Sequence, residues 1–298
     1  MALSFTAVAK DGLFACPENQ PTQRRRILVT GAAGNIGSYF AEQSHDRYQL
    51  RLMVRGGEDA TKVEKLKGFG EVVTGDLDNL PRMKELCQGV QTVLHLAAAA
   101  SPSSTWEQLL PANIVGAYNI MVAAKNAGCE RLIYASSIHA VSGYPPDVQV
   151  KTTDPVNPGD LYGVSKCFGE ALARYMATQE GLSVIALRIG AFQPLSTARD
   201  PEGGVEMMDM FVSRRDLNDL IRRCIDAPGR LRFAILHGVS DNRFKRLDIS
   251  DARELVGYNP QDDSTQLNPV LEPVDLDEKV LSASQRDPAQ KSGIREDV

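Results

Sequence analysis

A tyrosine and a lysine lie four residues apart in the stretch LYGVSKCFGEALARY, where together they could act as a general base. The spacing of apolar residues predicts an amphipathic helix here, which would place Tyr162 and Lys166 on one face. A phenol ordinarily loses its proton at about pH 10, and a neighbouring ammonium favours the phenolate. The same spacing is common on exposed helices that have no catalytic role. The elements that surround the pair must therefore decide between the two interpretations.

Six short apolar runs, rich in Val, Ile and Leu, predict buried strands. They are RILVTG, YQLRLMVR, GEVVTGD, QTVLHLAA, RLIYASS and LSVIALRIG. Most are separated by helical patterns, such as the one from Pro111 to Gly128, with a proline near its start and a glycine at its end. This alternation predicts an α/β protein with a doubly wound parallel sheet that is covered by helices on both faces.

The pattern divides the chain into four segments. Residues 1–23 are expected to form a flexible N-terminal arm, and residues 24–190 carry the strand and helix alternation. Residues 191–271 are expected to form a small C-terminal substrate cap, in which RRDLNDLIRRCIDA returns as a helix to the core. Residues 272–298 are polar and weakly patterned, so we expect a mobile tail.

Three glycines follow the first predicted strand and precede the first predicted helix. Gly31, Gly34 and Gly37 form G-x-x-G-x-x-G, in which the first glycine permits a tight turn and the second lets backbone approach a pyrophosphate. The third lets the helix pack on the strand. The intervening Asn35 and Ile36 belong to the same predicted site, where helix N–H groups favour phosphate. The stretch predicts a Rossmann-type dinucleotide-binding domain over residues 24–190.

The end of the second predicted strand bears on which dinucleotide binds. An acidic residue there would favour NAD, whereas the sequence has Arg55, which favours the 2′-phosphate of NADP. We expect NADP, with NAD as the alternative if Arg55 is merely solvated. Glu58 and Asp59 are expected to lie beyond reach of the ribose. Asp76, with Leu77 beside it, is expected to contact the adenine.

Small side chains follow the fourth predicted strand in HLAAAAS. Ala97, Ala98 and Ala99 would let the dinucleotide lie close to backbone. We include all three in the predicted cofactor site.

Composition and charge exclude several other classes of protein. The net charge of -5 and the isoelectric point near 5.5 give no general attraction to nucleic acid or to an anionic membrane. No apolar stretch is long enough to span a bilayer, and the N-terminal residues do not resemble a secretory signal. The five cysteines are scattered without a CxxC pair, which indicates a reducing compartment and no metal site. We expect a cytoplasmic protein.

Taken together, the motifs resemble the extended short-chain dehydrogenase/reductase family, within the NAD-dependent epimerase/dehydratase superfamily. The match extends from Arg26 to about Asn268 and includes TGxxGxxG, Asp76, the alanine run, Asn113, YASS, Y-x-x-x-K and FVSRRDL. Within that family, YASSIHAVSGYP, DLYGVSKCFGEALARY and LRIGAF are most similar to uronate dehydrogenases, which oxidise C1 of a hexuronic acid to a lactone. The resemblance implies an NAD(P)-dependent oxidoreductase that acts on a free sugar or sugar acid.

The resemblance also implies catalytic roles. Tyr162 would be the acid/base, and Lys166 would lower its pKa and hold the nicotinamide ribose. Ser137 matches the catalytic hydroxyl, with Ser136 as the alternative. Tyr162 as phenolate would take the hydroxyl proton while hydride passes to the nicotinamide.

Further binding residues follow from the same resemblance. It adds Asn113 and Ile189 to the cofactor site. Ser101, Ser137 and His139 would contact the substrate, and Arg199 aligns approximately with an arginine that binds a carboxylate. A turn role for Ser101, a packing role for His139 and a surface role for Arg199 remain alternatives.

Ile138 departs from the uronate dehydrogenase pattern, because those enzymes usually carry an asparagine there that touches the sugar. A nucleotide-sugar epimerase or dehydratase with tightly bound NAD therefore stays open, as does a reductase of another small carbonyl compound. A cofactor sensor without catalysis is the non-enzyme alternative. The family also implies a homodimer formed by the helices that contain residues 117–124 and 168–176.

Overall fold

Nine strands lie within residues 24–273, the part of the chain that the computed structural model describes. They are β1 (Arg26–Thr30), β2 (Gln49–Val54), β3 (Glu71–Thr74), β4 (Thr92–His95), β5 (Arg131–Ser137), β6 (Ser183–Ile189), β7 (Ala191–Gln193), β8 (Phe211–Ser213) and β9 (Phe233–Gly238). Seven of them form one parallel sheet in the order β3-β2-β1-β4-β5-β6-β9. Strands β7 and β8 pair in parallel in a small second sheet.

Helices connect most of these strands. They are α1 (Asn35–Ser44), α2 (Ala60–Lys67), α3 (Leu80–Leu86), α4 (Trp106–Leu109), α5 (Gly116–Asn126), α6 (Leu161–Thr178), α7 (Leu195–Ala198), α8 (Gly203–Glu206), α9 (Arg214–Asp226), α10 (Ser250–Val256) and α11 (Ser264–Leu267). A π-helical segment, Leu110–Val115, joins α4 to α5, and a 3-10 turn, Ile138–Val141, follows β5.

The two faces of the main sheet bury separate apolar clusters. Helices α1, α2, α9 and α10 cover one face, where Ile27 and Val29 of β1 point. Helices α3, α5 and α6 cover the other, where Leu28 points. Because successive side chains of a strand alternate between faces, a sheet covered on both sides needs continuous apolar runs. The doubly wound parallel sheet predicted from those runs is confirmed.

The structure adds a strand that the sequence analysis did not identify. The six predicted runs correspond to β1 to β6, but the sheet has a seventh strand, β9, which pairs with β6. It belongs to residues 191–271, the segment expected to form a cap, so the core continues past Gly190. Helix α9 of the same segment packs on the sheet through Leu217, Leu220 and Ile221. The predicted arm and almost all of the predicted tail lie outside the described residues.

Across residues 24–273, no helix is long and apolar enough to cross a membrane. In the same part of the chain Cys87, Cys129, Cys167 and Cys224 are free thiols. Those residues also contain no cluster of three or more side chains suited to hold a metal ion. Cys16 lies outside the described range.

Candidate active site

A cavity of about 1020 Å³ opens at the carboxyl ends of β1 to β4. This is the edge at which doubly wound sheets bind ligands, and the volume lies at the upper end of the usual range for ligand pockets, roughly 300–1,000 Å³. Most of the residues predicted to contact the cofactor line it, namely Gly31, Gly34, Asn35, Ile36, Gly37, Arg55, Asp76, Leu77, Ala97, Ala98 and Ala99. The parallel strands therefore bring together residues that are up to about seventy positions apart in sequence.

The glycine turn has little room for side chains. Gly31 has a φ of +69°, and a Cβ there would lie 2.8 Å from the backbone nitrogen of Ala97. A Cβ on Gly37 would lie 2.4 Å from the carbonyl oxygen of Gly31, so only glycine lets α1 pack this close to β1. Helix α1 begins after Gly34, which leaves its N-terminal N–H groups facing the cavity. These features fit a dinucleotide pyrophosphate.

Two charged residues of opposite sign line the cavity beyond β2. Arg55 is exposed, and Glu58 is half-buried. Glu58, which was expected to lie beyond reach of the ribose, follows the Gly56–Gly57 turn and lines the same cavity as Arg55. Asp59 instead caps α2, where its carboxylate accepts hydrogen bonds from the backbone of Thr61 and Lys62.

Asn113 ties the alanine run to helix α6. Its side-chain oxygen accepts from the backbone N–H of Ala99 at 2.8 Å, and its amide nitrogen donates to Ser165 Oγ at 2.9 Å. The residue is buried in the π-helical segment and does not line the cavity. Asn113 thus supports the wall of the cavity and, through Ser165, the helix that carries Lys166.

Ser137, Tyr162 and Lys166 lie together where β5 ends and α6 begins. All three are buried, and the Ser137 hydroxyl is close enough to the Tyr162 phenol to lower its pKa. Lys166 Nζ donates to the carbonyl oxygen of Ala135 at 2.8 Å and lies 5.4 Å from the centroid of the Tyr162 ring. The structure therefore brings together the three residues predicted to be catalytic.

The electrostatic environment of this group differs from the expectation. Burial raises the pKa of Tyr162, an effect that the Ser137 hydroxyl opposes and Asp160 reinforces. Burial also lowers the pKa of Lys166 to about 8, and Glu170 opposes that shift. The pKa of the Tyr162 phenol is thus raised by burial, and the lowering expected from Lys166 is not seen. A phenolate here needs additional positive charge.

His139 is held by an acid that also caps α6. Its Nδ1 lies 2.6 Å from a carboxylate oxygen of Asp160, whose other oxygen accepts from the backbone N–H of Gly163 at 2.7 Å. The imidazole packs edge-on against the Tyr162 ring, with 5.4 Å between centroids. With Nδ1 engaged, Nε2 is the ring atom that a substrate hydroxyl would meet.

The remaining predicted residues are less closely assembled. Ser101 lines the cavity, and its hydroxyl also accepts from the backbone of Ser103 in a turn. Ile189 is buried at the end of β6 and belongs to the core. Arg199 is exposed at the C-terminus of α7 and is not among the residues that line the cavity.

Comparison with known proteins identifies the family. Residues 27–199 match the model of the NAD dependent epimerase/dehydratase family. The chain belongs to that family. It is 33% identical over 261 residues to an NAD-dependent glucose-6-phosphate dehydrogenase from Haloferax volcanii, a match that covers 84% of this chain and 98% of that protein.

Two further comparisons show that the chain is similar to uronate dehydrogenases. A uronate dehydrogenase from Pseudomonas putida is 32% identical over 253 residues, which is 84% of this chain and 89% of that protein. A crystal structure of glucuronic acid dehydrogenase from Chromohalobacter salexigens gives a TM-score of 0.71 at 32% identity, over 80% of this chain and 85% of that chain. The resemblance to uronate dehydrogenases in the extended short-chain dehydrogenase family is confirmed.

The sequence analysis did not predict two residues that line the cavity, Phe192 and Gln108. Phe192 lines the cavity from β7, with Tyr39 of α1 packed edge-on at 6.4 Å between centroids. Gln108 also lines the cavity, and its side chain completes a capping box with Thr105 at the start of α4. The position of Phe192 shortly after β6, at the carboxyl edge of the sheet, was the available signal.

Proposed function

We propose that the chain is an NAD(P)-dependent dehydrogenase that oxidises the C1 hydroxyl of a free sugar or sugar acid. The observation that carries the proposal is the juxtaposition of Ser137, Tyr162 and Lys166 at the carboxyl end of β5. None of the three lines the cavity, but β5 pairs with β4, whose carboxyl end borders it. A cofactor sensor would not need this trio. The sugar and uronate dehydrogenases among the relatives support the substrate class.

The chain's own residues would act as follows. The Ser137 hydroxyl would hold the reacting oxygen, and the Tyr162 phenolate would take its proton. Lys166 Nζ donates one hydrogen bond to Ala135, which leaves two N–H groups for the nicotinamide ribose. When bound, the oxidised nicotinamide supplies a hydride acceptor and a positive charge. That charge favours the phenolate, which burial alone disfavours.

For the cofactor, NAD binding has support from the NAD-dependent relative, and NADP preference is our finer proposal. Arg55 follows β2 at the edge of the cavity, where a guanidinium would pair with a 2′-phosphate. Glu58 lies in the same wall and would favour the two ribose hydroxyls of NAD. The ratio of kcat/KM for NADP and NAD tests which residue dominates.

For the substrate, the names of two relatives point to a hexose derivative with an anionic group far from C1. Glucose 6-phosphate carries a phosphate there, and a uronate carries a carboxylate. Arg199 is our candidate to pair with such a group, since a planar guanidinium can hold two oxygens. A neutral aldose, or another small carbonyl compound in the reverse direction, is the alternative.

A substrate panel tests the proposed reaction. Uronates, hexose phosphates, neutral aldoses and UDP-sugars would each be supplied with NAD and with NADP, and reduced cofactor followed by absorbance. We expect reduction with a uronate or a hexose phosphate. Conversion of a UDP-sugar without net reduction, seen by sugar analysis, would instead establish the epimerase.

We also propose a cytoplasmic homodimer. Helices α5 and α6 carry large exposed side chains, among them Tyr118, Val164, Phe168 and Tyr175. The apolar residues Ala117, Ala124 and Met176, by contrast, face the sheet and are buried. A symmetric contact would therefore use the exposed set. Light scattering at micromolar concentration should give twice the chain mass, and a monomer would contradict the proposal.

A further inference from the structure

Glu170 is a buried carboxylate on the same face of α6 as Lys166, one helical turn further along. It accepts a hydrogen bond from the Ser136 hydroxyl at 2.6 Å. Arg188 donates to both of its oxygens, through Nε and Nη2, each at 2.9 Å. Glu170 and Arg188 are 3% and 1% exposed, so this ion pair is shielded from solvent.

The partners of Glu170 come from the strands that end at the candidate active site. Ser136 lies beside Arg188 in the register of β5 and β6, and Arg188 lies beside His237 in the register of β6 and β9. Ser136 immediately precedes Ser137, and Lys166 donates to the carbonyl oxygen of Ala135. The carboxylate therefore joins the ends of two strands to the helix that carries Tyr162 and Lys166.

The network continues toward β9. Burial lowers the pKa of the His237 imidazole to about 4, so the ring is neutral at physiological pH. Its Nδ1 donates to the carbonyl oxygen of Asp248 at 2.7 Å, and Nε2 is therefore an acceptor. Within residues 24–273, His237 Nε2 and Arg188 Nη1 are buried without a hydrogen-bond partner. One is an acceptor and the other a donor, on neighbouring residues, so a bridging water would satisfy both.

Stability alone does not account for a buried pair of this kind. Removing two charges from water costs several kcal/mol per ion, and apolar replacements of similar volume are often neutral or stabilising. The pair does fix geometry, because both carboxylate oxygens and two guanidinium nitrogens are engaged at once. We propose that Glu170 is a positioning residue. It fixes the Lys166 face of α6 against the ends of β5 and β6 and keeps the lysine charged for catalysis. This inference rests on the proposed function.

The charge of Lys166 depends on the groups around it. Those that face the buried side of α6 are Tyr162, Cys167 and Glu170 on α6 itself, Tyr134 on β5, His95 on β4, Arg188 on β6, His237 on β9 and His139 on the 3-10 turn. Glu107, Tyr118 and Lys125, on α4 and α5, are exposed. Burial lowers the pKa of Lys166, and Glu170 raises it. Without the carboxylate charge, Lys166 would lose its proton at lower pH.

The test uses variants that separate this role from folding. Glu170→Gln removes the charge and retains the shape, and S136A removes one hydrogen bond to the carboxylate. The double variant E170L/R188M replaces the pair with apolar side chains, which should preserve folding if the single variant does not fold. Glu180→Gln, in an exposed pair with Lys125 beyond the end of α6, is the matched control.

The main readout needs neither cofactor nor substrate. Protein labelled with ¹³C at lysine Cε would be titrated by NMR, and the Lys166 resonance assigned with Lys166→Arg. We expect E170Q to move the Lys166 titration down by about one pH unit or more, and Glu180→Gln to leave it in place. E170L/R188M should move it less, because this variant removes one charge of each sign. An unchanged Lys166 titration in folded E170Q would overturn the inference, and so would a wild-type kcat in E170L/R188M if E170Q does not fold.

Kinetics on the substrate found by the panel provide the second readout. We expect the alkaline limb of the pH profile of kcat to move with the Lys166 titration, and kcat of E170Q to fall at least about tenfold, with a smaller loss for S136A. A lower melting temperature with an unmoved limb would assign Glu170 to folding alone. Absence of sugar oxidation by the wild type would contradict the proposed function separately, because the NMR titration does not depend on it.

Discussion

The cofactor cavity and the substrate side of this molecule are built in different ways. The cavity is formed at the ends of β1 to β4, and each strand leads within a few residues to a group that lines it. The side that we propose for the substrate comprises the ends of β5 and β6 and the segment from residue 191 to 271. There, short helices and loops such as α7 and α8 separate the elements that return to the sheet.

The difference lies in which atoms do the binding. The cavity relies on backbone N–H groups, tight turns and small side chains, so residue type and spacing specify it almost completely. The proposed substrate side would rely on long side chains such as Arg199, whose reach depends on the conformation of the segment that follows α7. A binding site formed by backbone atoms can therefore be predicted from the sequence, whereas a site formed by loop side chains is much harder to predict.

The largest effect, a loss of kcat, should come from substitution of Tyr162, which lies between the two sides. Tyr162→Phe removes the hydroxyl that exchanges a proton with the substrate, so kcat should fall by about 10²–10⁴-fold. The affinity for reduced cofactor should stay nearly unchanged. Tyr175→Phe, an exposed tyrosine on the same helix, is the control and should keep wild-type kcat. Near-native turnover by the Tyr162 variant would show that another group transfers the proton.

The second-largest effect is expected for a substitution in the glycine turn of the cofactor cavity. Gly37→Ala places a Cβ 2.4 Å from the Gly31 carbonyl oxygen, so α1 must shift away from β1. We expect weaker cofactor binding by at least about tenfold and a free energy of unfolding lower by ~1–3 kcal/mol. Gly56→Ala, where a Cβ meets nothing within 4 Å, is the control. Fluorescence titration and chemical denaturation measure the two quantities, and equal behaviour of the two variants would refute the close packing.

The cofactor specificity should depend on two side chains in one wall of the cavity. Arg55→Asp should lower kcat/KM for NADP by about 10–100-fold and change that for NAD less, because the lost guanidinium meets only the 2′-phosphate. Glu58→Gln should affect NAD more than NADP. A wild type that strongly prefers NAD, with an Arg55 variant that behaves identically, would show that Arg55 faces solvent.

The smallest effect should come from the substrate side. Arg199→Ala should raise KM for an anionic sugar about tenfold, since one charge-assisted contact contributes ~1.5–3 kcal/mol before solvent screening. KM for a neutral aldose should not change. Arg230→Ala, an exposed arginine before β9, is the matched control. An equal response to anionic and neutral sugars would remove Arg199 from the site.

The sequence was sufficient to predict the parallel sheet and most of the residues that line the cavity. It was not sufficient where tertiary contacts determine the position of a residue or a strand. Periodicity predicted β1 to β6 because each is a continuous apolar run, but β9, which follows α9 after a short loop, was not recognised. Glu58 lines the cavity after the turn of Gly56 and Gly57, a position that no spacing rule encodes.

Ile138 illustrates a further limit of sequence reasoning. Its substitution for an asparagine was expected to remove a contact with the sugar. In the structure its side chain packs with Val141, Val239 and Leu247 in a third apolar cluster. The residue therefore has a structural role that pairwise comparison with uronate dehydrogenases could not reveal, because it depends on segments that are about one hundred residues apart.

The pairing of β9 with β6 has a consequence for folding on the ribosome. Strand β6 is complete at Ile189, but its outer edge has no partner until Gly238 has been synthesised. At ~5–20 residues per second, this interval lasts a few seconds, during which a buried, apolar strand exposes its backbone donors and acceptors. A nascent chain that stalls between these two points would present an edge able to pair with other chains. Translation rate and chaperone access over that stretch should therefore influence the yield of folded protein.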